Sequence, residues 1–100
     1  MIIIAGTITI DPDKVEAALA AVAPMMVATQ AEEGCMEYVF SADPLLPGCL
    51  RVFEQWENED ALRAHFQSPH MAEFQSVMGG FGVTDASVQR YDGAIPVNLL

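Results

Sequence analysis

The start of the chain holds the feature that most restricts the fold. Residues 2–10 read Ile-Ile-Ile-Ala-Gly-Thr-Ile-Thr-Ile, a run that is rich in β-branched side chains and almost entirely apolar. Such a run is typical of a strand that is buried on both faces of its sheet, because a half-buried strand alternates apolar and polar residues. One layer of helices can cover only one face. The sequence therefore predicts a sheet whose second face needs another cover.

Caps, prolines and apolar spacing predict the order of the remaining elements. Asp11-Pro12 predicts a helix start, because the aspartate accepts a free backbone N–H and a proline at the first position loses no hydrogen bond. Pro24 lies inside this helix and predicts a kink with a pocket nearby. The predicted elements are a strand over 2–10, a helix from Asp11 to Gly34, strands over 35–42 and 48–56, two short helices capped by Asn58 and Ser68, and a strand over 83–91.

This order predicts one α+β domain spanning residues 1–100, a ferredoxin-like βαββαβ unit with an antiparallel sheet. The chain is 52% hydrophobic and only 18% charged. That is more apolar material than a small monomer can hide, so we expect the uncovered sheet face to meet a second copy in a homodimer. The apolar tail from Ile95 to Leu100 is expected to lie across the partner.

The charge of the chain disfavours several classes of partner. Fourteen acidic and four basic residues give a net charge of -10, which repels phosphate backbones and anionic lipid. No window is apolar enough for a membrane span, and the first residues lack the features of a signal peptide. We therefore expect no nucleic-acid or membrane partner and a cytoplasmic location.

Both histidines of the chain lie within six residues, His65 near the end of the first short helix and His70 at the start of the second. Either histidine could transfer a proton or merely solvate a helix end. Two histidines five apart do not share a helix face, and a metal site would need a carboxylate such as Glu73 at an unsuitable spacing. We therefore expect no metal. Gly79-Gly80-Phe81-Gly82 follows a helix rather than a strand, so no flavin or nicotinamide fingerprint is present.

Other side chains could form the wall of a ligand pocket near the histidines. Glu54 and Trp56 share a strand face that is otherwise apolar, and a carboxylate there is either a structural hydrogen-bond acceptor or a functional group. Trp56 itself is either a core aromatic or a pocket wall. The candidate lining, which could equally be ordinary core, comprises Tyr38, Phe66, Met71, Phe74 and Phe81.

The segment with Trp56, Asn58, His65 and His70, preceded by Glu32-Glu33-Gly34-Cys35 and Tyr38, resembles the antibiotic biosynthesis monooxygenase superfamily, and within it the quinol monooxygenase-like proteins. The resemblance implies a dimeric α/β barrel and a cofactor-free oxygenase that oxidises a quinol or polycyclic phenol with molecular oxygen.

A cofactor-free oxygenase needs a base, because a phenolate gives an electron to oxygen far more readily than a neutral phenol. His65 is the first candidate for that base, His70 is the second, and Trp56 and Asn58 are candidate hydrogen-bond donors. Two alternatives stay open. The same pocket could serve a non-oxidative isomerase or cyclase, or a binding protein without catalysis.

Overall fold

The structure, a computed structural model, describes residues 1–100 and contains four strands, three α-helices and two short 3₁₀ turns. The strands pair in one antiparallel sheet with the order β2-β3-β1-β4. The predicted ferredoxin-like α+β fold is therefore confirmed. The elements are β1 (Ile2–Thr9), a 3₁₀ turn (Pro12–Lys14), α1 (Val15–Gln30), β2 (Cys35–Ala42), β3 (Cys49–Trp56), α2 (Glu59–Phe66), α3 (Pro69–Met78), a 3₁₀ turn (Gly79–Phe81) and β4 (Asp85–Asp92).

The strand β1 lies inside the sheet, between β3 and β4, as its apolar run requires. Alternate side chains point toward the helices, and on this face Ile2 and Ile4 are buried. On β3, the helix-facing side chains from Leu50 to Trp56 are all buried, as the predicted alternation requires. The core between sheet and helices contains thirteen buried residues: Ile2, Ile4, Ile10, Ala18, Val22, Met25, Tyr38, Phe40, Leu50, Val52, Trp56, Leu62 and Met78.

The end of α1 differs from the prediction. The helix ends at Gln30 rather than at Gly34, and turn hydrogen bonds from the N–H of Glu32 to Thr29 and from the N–H of Cys35 to Glu32 fill the gap. Gly34 serves this turn with a φ of 82°, and a Cβ there would lie 2.5 Å from the Cβ of Ala61. The left-handed backbone and the close approach of α2 both favour glycine.

The second face of the sheet is open in the single chain. Its apolar side chains include Ile3, Ala5 and Phe53, which are partly exposed, and Val39 and Tyr91, which are more exposed. Beyond β4, residues 94–100 form no regular element, and Ile95, Val97 and Leu99 are between 84% and 92% exposed. None of the helices combines the length and apolar character that crossing a membrane requires.

Candidate functional site

One carboxylate lies between the two histidines. The Oε2 atom of Glu32 lies 2.7 Å from Nδ1 of His65, which is a hydrogen-bonding distance. The other carboxylate oxygen, Oε1, lies 3.5 Å from Nε2 of His70. This second contact is within ion-pairing distance but is not aligned as a hydrogen bond, so the Nε2 atom of His70 is buried without a hydrogen-bond partner. Glu32 therefore connects both histidines in one cluster.

Two helix caps bring these histidines together. The side chain of Asn58 accepts a hydrogen bond from the N–H of Ala61 and starts α2, which carries His65 in its last turn. Ser68 then reverses the chain: its hydroxyl donates to the carbonyl of His65 over 2.6 Å and accepts from the N–H of Met71. The next helix, α3, thus begins with His70 in its first turn, as the sequence predicted.

Glu32 reaches the cluster from the turn after α1. That turn is fixed to the end of β3 by a 2.8 Å hydrogen bond from the N–H of Glu57 to the carbonyl of Gly34. The position of Glu32 therefore depends on the same short turn that ends α1 early. Sequence reasoning did not include Glu32 among the site residues, because it lies 33 positions from His65 and belongs to no recognisable spacing with it.

Aromatic rings enclose His65, which is only 1% exposed. Ring centroids lie 4.8 Å away for Trp56, 5.4 Å for Tyr38, 5.6 Å for Phe66 and 6.1 Å for His70. Burial lowers the pKa of His65, although the hydrogen bond to Glu32 acts in the opposite direction. The neutral imidazole is therefore favoured, which is the form that can accept a proton.

A second acid lies deeper in the core. Glu54 is buried, and its Oε1 accepts a 2.9 Å hydrogen bond from Nε1 of Trp56. Burial raises the pKa of Glu54, the bond from Trp56 lowers it, and the nearby Glu32 charge raises it further. Burial, followed by the charges of Glu54 and Glu32, also raises the pKa of Tyr38. The two carboxylates thus make this region unfavourable for additional negative charge.

A cleft of about 250 Å³ lies between α1 and α3. Pro24 contributes to its wall, so a pocket lies where the proline predicted one. Of the two histidines, His70 lines this cleft and is 23% exposed. The lining is mainly apolar and comprises Ala21, Val22, Pro24, Met25, Ala28, His70, Glu73, Phe74 and Val77.

The structure brings only some of the predicted site residues to this cleft. Phe74 lines it, whereas Phe66 is 55% exposed beside His65, and Met71 and Phe81 lie outside the lining. Trp56 is fully buried, and its N–H donates to Glu54.

Asn58 also lies away from the cleft. Its side-chain oxygen caps α2, and the residue lines a separate surface hollow of about 350 Å³ with the acidic residues Glu33, Glu57 and Asp60. The structure thus gives Asn58 a structural role as a helix cap.

Comparison with known proteins decides the family. The chain matches the sequence profile of antibiotic biosynthesis monooxygenases over residues 1–77. The chain belongs to the antibiotic biosynthesis monooxygenase family. Family membership indicates a monooxygenase-like fold. The chain is also 37% identical over 73 residues to the uncharacterised protein sll1783 of Synechocystis sp.. That alignment covers 73% of this chain and 50% of the relative, so the chain spans about half the length of the curated relative it matches.

Solved structures show the same fold across nearly the whole chain. A Deinococcus radiodurans protein named as a candidate antibiotic biosynthesis monooxygenase superposes with a TM-score of 0.82 at 25% identity, covering 100% of this chain and 99% of that chain. The protein Rv0793 from Mycobacterium tuberculosis superposes with a TM-score of 0.84 at 24% identity, covering 97% of this chain and 98% of that chain. These likenesses support the family fold.

Proposed function

We propose that this protein is a cofactor-independent monooxygenase that oxidises a quinol or polycyclic phenol with molecular oxygen. The observation that carries the proposal is the position of Glu32, with one carboxylate oxygen on each histidine and one of those histidines lining an apolar cleft. A carboxylate that contacts an imidazole orients the ring and stabilises the imidazolium formed when the ring accepts a proton. The cluster is therefore suited to removing a phenol proton.

The geometry favours His70 as the group that meets the substrate. The sequence favoured His65, but His65 is 1% exposed and its Nδ1 is engaged by Glu32, whereas His70 lines the cleft. In the proposed reaction, His70 accepts the phenol proton and the resulting phenolate passes one electron to oxygen. Recombination of the phenoxyl radical with superoxide forms a carbon–oxygen bond, and protonated His70 returns its proton to the resulting peroxide. Cleavage of the O–O bond with loss of water gives the product. A quinol and one oxygen molecule then yield a hydroxyquinone and water, with no external reductant.

The size and lining of the cleft favour a compact aromatic substrate. Its volume of about 250 Å³ is at the lower edge of the range of about 300 to 1,000 Å³ for ligand pockets. Phe74 and Met25 offer an aromatic ring and a thioether to a flat apolar ligand. Within the proposed class, quinols with one or two rings therefore fit this cleft better than larger polycyclic phenols.

The open sheet face supports a homodimer as part of the proposal. Apolar side chains of β1, β2, β3 and β4 remain exposed there, together with the tail beyond β4. Pairing of two such faces is isologous and produces a barrel-like interior. The cleft lies between helices on the other side of the sheet, so this association leaves it accessible.

Oxygen consumption with a panel of hydroquinones, naphthoquinols and anthrones tests the function. We expect uptake with at least one member, and a loss of about 100- to 10,000-fold in turnover for His70→Ala, because the substituted protein lacks its general base. Glu73→Gln serves as the matched control, since it changes a polar residue of the same cleft outside the Glu32 cluster. Absence of uptake across the panel would reject the oxygenase. Retained turnover in His70→Ala would reject the assigned base.

A further inference from the structure

We infer that Glu32, His65 and His70 together form a binding site for one divalent transition-metal ion, with Zn²⁺ as the best match. One nitrogen of each histidine and one carboxylate oxygen of Glu32 lie within 4.8 Å of one another. Two histidines and a carboxylate are a common ligand set for zinc in sites that keep one position open for water. Binding itself is independent of the proposed oxygenase activity.

The distances in the cluster suit metal coordination. Ligands that bind zinc at 2.0–2.1 Å in a tetrahedron lie about 3.4 Å from one another. The separations are 2.7 Å from Oε2 of Glu32 to His65 Nδ1 and 3.5 Å from its other oxygen, Oε1, to His70 Nε2, and all ligand atoms lie within 4.8 Å of one another. Side-chain rotations that close the widest separation by up to about 1.4 Å would place all three ligands around one ion.

The unpaired ring nitrogen of His70 is a second observation that points to a metal. Its Nε2 atom is buried without a hydrogen-bond partner, although a carboxylate oxygen lies 3.5 Å away. Buried polar atoms of this kind are uncommon and call for a specific explanation. A metal bound by both His70 and Glu32 would use the free nitrogen lone pair and the poorly aligned carboxylate oxygen at once.

No basic side chain neutralises Glu32. The four Lys and Arg residues of the chain are all engaged elsewhere: Lys14 with the carbonyl of Gly80, Arg51 with Asp43, Arg63 with Glu59 and Asp60, and Arg90 with Glu59 and Asp92. Only a protonated histidine or an added cation can balance the Glu32 charge inside the cluster. The net charge of -10 also raises the local concentration of cations around the protein.

The sequence predicts no metal because carboxylates near the histidines, such as Glu73, lie at an unsuitable spacing. In three dimensions the carboxylate comes from Glu32, in the turn after α1. Imidazole and carboxylate ligands suit Zn²⁺, and also Ni²⁺ and Co²⁺, more than Mg²⁺ or Ca²⁺, which prefer all-oxygen sites. Binding of Zn²⁺, Ni²⁺ or Co²⁺ in preference to Mg²⁺ or Ca²⁺ would therefore distinguish this cluster from a group of exposed carboxylates.

Titration of the chelator-treated protein with Co²⁺ tests the site, because Co²⁺ bound by nitrogen ligands produces visible absorption bands. We expect one Co²⁺ per chain, displacement by Zn²⁺ but not by Mg²⁺, and an affinity at least about tenfold lower in Glu32→Gln and in His70→Ala. Both side chains are partly exposed, at 17% and 23%, so these variants are expected to fold, and circular dichroism checks this.

Glu57→Gln with Asp60→Asn is the matched control, since both residues belong to the acidic surface hollow. This control should bind Co²⁺ as the wild type does. Unchanged affinity in Glu32→Gln and His70→Ala, or a loss confined to the control, would overturn the inference.

Inhibition of oxygen uptake by stoichiometric Zn²⁺ is a further expectation, and it alone rests on the proposed function. If Co²⁺ binds as predicted but no phenol is oxidised, the metal site stands and the oxygenase fails. If a phenol is oxidised but Co²⁺ does not bind, the oxygenase stands and the metal site fails.

Discussion

Removal of residues 95–100 should weaken the proposed homodimer by a measurable amount. Ile95, Val97 and Leu99 are 85%, 84% and 92% exposed in the single chain. Full burial of one such side chain contributes about 1.5 to 3 kcal/mol, so half-burial of all three gives about 2 to 4.5 kcal/mol per tail. A symmetric dimer has two tails, or about 4 to 9 kcal/mol in total.

Ordering the tail opposes this gain, because each fixed residue loses conformational entropy. If ordering offsets half of the total, about 2 to 4.5 kcal/mol remains. At 1.4 kcal/mol for each power of ten, the dissociation constant should rise about 30- to 1,600-fold. The truncation leaves the hydrogen bond from the N–H of Ala94 to the carbonyl of Met1 in place, so the end of β4 is retained.

Sedimentation equilibrium over a range of concentrations measures this constant. Leu45→Ser is the matched control, because Leu45 is 85% exposed like Ile95 but lies in the loop between β2 and β3. The control should dissociate as the wild type does. A truncated protein with an unchanged dissociation constant, or an equal effect in Leu45→Ser, would refute the reasoning about the tail. A stable wild-type monomer at micromolar concentration would refute the dimer.

Three further changes test individual contacts. Burial raises the pKa of Glu54, so the contribution of this side chain to stability is complete below its unfolded pKa and is lost as the pH rises through its folded pKa. The unfolding free energy of Glu54→Gln, measured by urea titration, should therefore increase relative to that of the wild type from pH 4 to pH 8. Asn58→Ala should lower the unfolding free energy by about 1 kcal/mol, because the helix cap is lost. Asn58→Ser should keep both the cap and the turnover. Lost turnover in a stable Asn58→Ser protein would instead support Asn58 as a hydrogen-bond donor to the substrate. Gly6→Ala should lower the unfolding free energy by about 3 kcal/mol or prevent folding, since the added Cβ would lie 2.0 Å from the carbonyl oxygen of Ser87. A melting temperature equal to that of the wild type would show that β4 can shift to make room for the added Cβ.

The fold could be predicted from the sequence because its signals are local. Cys35–Ala42 was predicted with the bounds that the structure shows, and the caps at Asn58 and Ser68 place both short helices correctly. The end of α1 was predicted four residues too late, at Gly34. Glycine at this position predicts the end of a helix, but Gly34 lies in the turn after the helix, where the close approach of Ala61 on α2 requires a residue without a side chain. A contact between distant segments leaves no spacing pattern in the chain.

The site was predicted less completely for the same reason. Both histidines were identified from their concentration in one segment, but their relation depends on Glu32 from another element. The proposed function assigns the base to His70 rather than to His65, because packing of Trp56 and Tyr38 against His65 leaves His70 at the cleft. Ring packing of this kind follows from how the sheet and helices close on each other, which no single segment specifies.

The two roles inferred for the Glu32 cluster exclude each other at any one moment. A general base needs a free imidazole lone pair, and a metal ion would occupy that lone pair on His70. A metal-dependent oxygenase loses activity when a chelator is present, whereas the cofactor-free enzyme proposed for this chain keeps or gains activity under the same treatment. The response of oxygen uptake to a chelator therefore decides which state of the Glu32 cluster performs the chemistry, even before the natural substrate is known.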